Sequence, residues 1–224
     1  MKKFMLLIAG LLFLCSCDFK ISSPVNVSEL FDSENKVVLT NLKFLLPMGQ
    51  SEEETIQNIE KGLQERGIKA RNLNKKETED MSTFILFSMP VEIVKEGNEK
   101  TLDNGIYFTF SNNEFAIHTP DNMSDMLYYE SMGSKKKVSI LEFEILLTND
   151  TDNDTYLKTY STFVDSKPVF LNSFQISPYA TMHISLSDVA NQLLGKSSTT
   201  YTVFQLNENL EELKKQDNRN LLAQ

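Results

Sequence analysis

Beyond residue 17 the chain contains no cysteine, and its 224 residues include two histidines, His118 and His183. The first absence excludes a disulfide, a thiol nucleophile, a CxxC redox pair and a thiolate zinc site from the body of the protein. Both histidines fall within expected strands, away from any catalytic signature, so each is expected to be structural. Positive charge is also scarce, with 22 Lys and Arg against 31 Asp and Glu. A phosphate backbone requires a basic face, and the one basic run is Lys135, Lys136 and Lys137, so nucleic acid is not an expected partner. No GxSxG elbow, P-loop, dinucleotide fingerprint or HExxH helix occurs, which removes the usual hydrolase, nucleotide and zinc-protease readings. Long apolar runs are missing too. Residues 4–14 form an apolar run of eleven, short of the roughly 20 needed to cross a bilayer.

That run has a specific setting. Lys2 and Lys3 precede it, and Leu14, Cys15, Ser16 and Cys17 close it with a small residue before the second cysteine. The pattern resembles a bacterial lipoprotein signal peptide with its lipobox. The resemblance implies that residues 1–16 are removed, that Cys17 becomes the first residue, and that its sulfur carries a diacylglyceryl group. Two or three acyl chains, at about 0.8 kcal/mol per buried methylene, make such an anchor effectively permanent. Asp18 matches the residue that marks inner-membrane retention in enterobacterial lipoproteins. The expected location is therefore the periplasmic face of the inner membrane, with the outer membrane as the alternative. Loss of Lys2 and Lys3 leaves 20 basic against 31 acidic residues, a net charge of −11. Anionic headgroups repel such a surface, so membrane contact is expected through the lipid alone.

A mature chain of this length can bury a core as one larger domain or as two small lobes. The segment pattern favours an α+β fold of two small lobes, each a mostly antiparallel sheet with short covering helices. Residues 17–35 read as a lipidated tether, 36–118 as an N-terminal α+β lobe, 119–206 as a C-terminal β-rich lobe and 207–224 as a polar tail. Residues 37–46 form a strand candidate ended by Pro47. Ser51 opens a helix with a capping box to Glu54, a stripe of Ile56, Ile59 and Leu63, and a stop at Gly67. Strands are expected over 68–73, 84–94, 106–110 and 114–118, the last two joined by a tight turn at Asn112 and Asn113. A short helix is expected over 120–132. A second hairpin is expected between 138–147 and 156–164, then a strand over 181–186, a helix over 187–194 closed by Gly195, and a strand over 201–206.

Three local patterns invite chemistry. Asp150, Asp152 and Asp154 imitate the start of an EF-hand loop, but Thr155 replaces the turn glycine and Ser161 the closing glutamate, so a solvated turn is the expectation. Ser134 and Lys137 spell a Ser-x-x-Lys acylating site without its companion motifs. Met123, Met126 and Met132 are spaced either to offer thioethers to Cu(I) or to pack in a core, and Tyr128 and Tyr129 beside them equally suit a partner surface. No catalytic residue, metal ligand or cofactor is assigned.

The mature sequence is similar to uncharacterised lipoproteins of Gram-negative bacteria and their phages in residues 25–30, 38–47 and 84–94, the last with Met89, Pro90 and Val91, and at Ser187, Asp188 and Val189. This implies a lipoprotein of unknown activity and transfers no site residue. The expected function is a non-enzymatic binding or interaction protein, tethered to the membrane through its lipid and engaging an envelope protein, in the setting of phage or conjugation exclusion. A periplasmic carrier or sensor of an apolar ligand, with the 15 phenylalanines lining a cavity, is the alternative. An envelope enzyme would require a cleft gathering His118 or His183 with a carboxylate and a hydroxyl.

Overall fold

A computed structural model describes residues 19–46, 51–79, 82–123, 128–131, 134–137, 141–196 and 198–207. Among them are β1 (Phe19–Asn26), α1 (Val27–Phe31), β2 (Lys36–Leu45), α2 (Glu52–Glu65), β3 (Arg71–Glu79), β4 (Ser82–Lys95), β5 (Tyr107–Ser111) and β6 (Glu114–Thr119). They continue with β7 (Tyr128–Ser131), β8 (Ser134–Lys137), β9 (Leu141–Thr148), β10 (Thr155–Val164), β11 (Lys167–Ile176), β12 (Thr181–Leu186), α3 (Asp188–Lys196) and β13 (Thr199–Asn207).

Nine strands close into a barrel in the order β10, β12, β9, β1, β2, β4, β5, β6, β13 and back to β10. The seam lies on β10. Its partner β11 follows it from Thr155 to Val164, leaving the other edge to be shared, by β13 against residues 156–159 and by β12 against 162–164. Ser161 lies between the two stretches with φ 47°, a left-handed backbone that marks the change of partner. β3 pairs with β4 outside the ring, and β7 with β8 forms a separate hairpin.

This closed, mostly β barrel corrects the expected α+β pair of lobes. The boundary drawn at 118 and 119 falls inside β6, and the two expected halves are joined by the parallel β1–β9 ladder and the β13–β6 pairing. Alternation reveals that a segment is a strand, but it carries no address for a partner more than 100 residues away. The expected tether is also corrected. Phe19, Ile21, Val25, Val27 and Leu30 are buried in the core, in β1 and α1. Pro24 fits in β1 because the antiparallel ladder with β2 runs only through Ser22, so no pairing amide is lost on that side.

Local chemistry was otherwise a good guide. Ser51 caps α2 by accepting from the Glu54 amide at 3.5 Å, Ile59 and Leu63 are buried, and Gly67 takes φ +65° just past the helix. Asn112 and Asn113, at φ 51° and 63°, make the β5–β6 turn. The helix expected over 120–132 is a strand at Tyr128–Ser131, and β9 lies between β1 and β12 instead of forming a hairpin with β10. Gly195 falls within α3. β11 and most of β3 were not expected.

The barrel interior is packed with aromatic rings. Phe19 stacks on Phe44 at 4.3 Å, Phe44 meets Phe87 edge-on at 5.4 Å, and Phe115 touches both Phe108 and Phe204. All six rings are at most 1% exposed. The outer wall carries the ion pairs Lys20–Glu144 at 3.4 Å and Lys43–Glu77 at 2.5 Å. No helix among the described residues is long and apolar enough to cross a membrane.

Candidate functional site: an outer barrel wall

The period of two along each strand sends Phe19, Ile21 and Val25 inward and Lys20, Ser22 and Pro24 outward. Register then aligns the outward residues of neighbouring strands into rows. In one row Pro90 pairs with Leu39, Pro24 with Leu146, and Leu146 with His183. The hydroxyls of Ser23 and Thr40 bond at 2.9 Å, carrying the β1–β2 register one step past its ladder and bringing Pro24 beside Leu39. A band of Pro90, Leu39, Pro24 and Leu146 therefore crosses four strands and ends at His183. Leu39 is 65% exposed, and Val37, two residues along β2, is 57% exposed.

A polar row runs beside the band, through Ser88, Asn41, Ser22, Glu144 and Ser185. Its centre is Glu144. Ser22 Oγ donates to Glu144 Oε2 at 2.9 Å, His183 Nδ1 lies 3.4 Å from Oε1, and Lys20 Nζ lies 3.4 Å from Oε2. Burial pushes the Glu144 pKa up, but the Lys20 charge and the bonds from Ser22 and His183 outweigh it and hold the carboxyl below its usual range.

This gathers a histidine, a carboxylate and a hydroxyl, but not in the order of a Ser-His-acid triad. The hydroxyl bonds to the carboxylate and not to the imidazole, so the three groups do not form a Ser-His-acid relay. His118 is further from that chemistry. Its ring stacks on Tyr107 at 4.4 Å, its Nε2 meets Thr109 Oγ1 at 3.0 Å and its Nδ1 meets Thr200 Oγ1 at 2.8 Å. Burial and the nearby Lys100 charge lower its pKa. His118 and His183 lie on β6 and β12, which are not neighbours in the ring.

The EF-hand-like loop is held by hydrogen bonds. Asn149, fully buried, donates to Asn153 O and Ile176 O and accepts from the Thr151 amide and hydroxyl. Asp150 accepts from the amide and hydroxyl of Ser28, capping the first turn of α1, and Asp152 accepts from the Tyr179 hydroxyl. No group of three or more His, Cys, Asp or Glu among the described residues is placed to hold a metal ion. Ser134 and Lys137 lie on strand β8, where a three-residue step spans about 10 Å instead of one helical turn. Met123 is buried, while Met126 and Met132 lie outside the described residues, as do Cys17 and Asp18. An open cleft of about 770 Å³ between α2 and β3 is lined by Glu52, Glu53, Glu60 and Arg71, and Glu52 is tied to Lys76 at 2.7 Å.

The apolar band was not anticipated. Its trace in the sequence is Val37 and Leu39, two apolar residues on the β2 face that goes on to carry Asn41, Lys43 and Leu45.

Residues 19–210 match the family described as "Domain of unknown function (DUF7424)". No curated protein and no solved structure matches the chain.

Proposed function

The chain belongs to the DUF7424 family over most of its length, and from that premise we propose that it is a membrane-anchored envelope lipoprotein that acts by binding a protein partner, without catalysis. The anchor is a lipid on Cys17, and Asp18 retains the protein at the periplasmic face of the inner membrane. Its working surface is the wall formed by β4, β2, β1 and β9. The observation carrying this reading is the outward-facing band of Pro90, Leu39, Pro24 and Leu146, in which Leu39 and Pro24 are exposed and the other two half-buried, bordered by the side chains of Asn41, Ser88 and Ser185. An apolar strip with a hydrogen-bonding rim suits the core and edge of a protein interface. The similarity to lipoproteins of phages and their hosts makes an envelope protein used in phage or conjugation exclusion the partner to seek.

A photocrosslinking residue at Leu39 in the full-length protein tests this in cells. It should give one discrete adduct with an envelope protein, identifiable by mass spectrometry, while the same probe at the exposed Glu60 of α2 gives none. Absence of an adduct at Leu39, or the same adducts from both positions, would count against the proposal.

A further inference from the structure

Helix α3 packs on β9, the strand beside β1, and on β13 and β6. Phe19 pairs with Leu141 and Ile21 with Phe143 in the parallel β1–β9 ladder. The Phe143 amide donates to Asn191 Oδ1 at 3.0 Å, and Asn191 Nδ2 donates to Leu186 O at 3.1 Å. Helix α3 is therefore fixed against the beginning of β9, one strand from the point where the chain enters β1. Its inner face buries Ala190 and Leu194. The outer face presents Val189 and Leu193, spaced i,i+4 and 68% and 51% exposed, with Gln192 beside them and Lys196 at the end.

The chain preceding Phe19 limits what can lie against that face. Cys17 is two residues upstream, a step of at most about 7 Å even when fully extended. A lipid on Cys17 brings the bilayer to the start of β1, and α3 is held one strand away, against the start of β9. We propose that the face carrying Val189 and Leu193 is a membrane-contact surface, seated in the headgroup boundary of a phospholipid bilayer. The proposal rests on the lipoprotein reading above.

The chemistry suits that position. Two aliphatic side chains on one side of a short helix enter the acyl boundary while the Lys196 stem reaches back to the headgroups and Asp188 stays in water. The lipid supplies retention, so the helix contributes orientation. Leu39 and Pro24 lie five residues along their strands from Phe44 and Phe19, about 17 Å away. Seating α3 keeps the apolar band clear of the membrane and open to a partner.

The processed chain has no free thiol, so Leu193→Cys or Val189→Cys offers a single position for a bimane label, with Leu39→Cys as the control. Full-length lipoprotein is purified from membranes, its Cys17 modification checked by mass spectrometry, and reconstituted in phosphatidylcholine vesicles with and without nitroxide-bearing lipids. Quenching at 193 and at 189 should exceed quenching at 39 by at least threefold. Equal quenching at all three positions, or an excess at only one of 189 and 193, in lipidated and vesicle-bound protein overturns the membrane-contact surface and leaves the lipoprotein reading standing. Protein that lacks lipid at Cys17 and floats free of the vesicles overturns both.

Discussion

Ser22 donates its hydroxyl to Glu144 at 2.9 Å, so the carboxylate nearest His183 holds the hydroxyl that an imidazole would have to deprotonate. In a catalytic triad the histidine stands between the other two groups. Here the carboxylate does, and the three side chains brace adjacent strands. His183→Ala and His118→Ala should therefore leave any cellular phenotype intact at matched abundance, whereas Leu39→Asp should abolish it. His118→Ala should cost about 1–2 kcal/mol in denaturant unfolding through the lost stack and hydroxyl bonds. A histidine change that removes the phenotype from folded, normally abundant protein would contradict the binding reading.

Glu92 holds down the loop over residues 96–106. It is 1% exposed and accepts from the Thr101 amide and hydroxyl, the Leu102 amide and Asn35 Nδ2, all between 2.7 and 2.9 Å. Burial pushes its pKa up, but the four donors together hold it below the usual carboxylate range. A carboxylate with a depressed folded-state pKa stabilises the fold above its unfolded value and loses that contribution as pH falls through the folded one. Glu92→Leu should cost about 2–4 kcal/mol by leaving several donors without a partner. In urea titrations the variant should also lose part of the wild-type decline in stability below about pH 4.5.

Lys95 is the basic counterpart. Only 6% exposed, it faces inward from β4 and donates to the carbonyls of Glu29 and Leu30 at the end of α1. Burial lowers its pKa to about 8, Lys36 adding to the effect while Asp32 and Glu29 oppose it. Between that value and the unfolded one near 10.5 the unfolded chain binds more protons, so stability should rise with pH, by roughly 1–3 kcal/mol. Lys95→Met should show a flatter difference profile across the same window, measured by chemical denaturation from pH 7.5 to 10.5. Equal slopes for the two proteins would argue against a buried, titrating amine.

Segments with a complete local signal were legible in the sequence. Ser51 with Glu54, Gly67, and the Asn112–Asn113 turn each satisfy a backbone requirement within a few residues. The barrel was not legible, because its closure depends on ladders such as Phe19 with Leu141 and Tyr156 with Asn207, which no nearby residue announces. β3 was obscured by Lys75, Lys76, Glu77 and Glu79, a charged composition that suits an edge strand but weakens the alternation that identifies one. The apolar band was hidden for the same reason as the barrel. Leu39, Pro24 and Leu146 are unremarkable singly and become a surface only when three strands are in register.

The lipid anchor is the most direct expectation of all. Residues 4–14 are apolar, Ser16 is small, and Cys17 is the last thiol in the chain. Intact-mass measurement of protein extracted from membranes should find the chain starting at Cys17 with a diacylglyceryl addition. Cys17→Ser should abolish processing and release the protein from the detergent phase in partitioning, since one remaining apolar run cannot replace two or three acyl chains. Asp18→Ser should move otherwise normal protein from inner-membrane to outer-membrane fractions on a density gradient. A Cys17→Ser protein that is still processed and still membrane-bound would remove the anchor. Wild-type protein found mainly with outer-membrane markers would remove the role of Asp18 and leave the anchor in place.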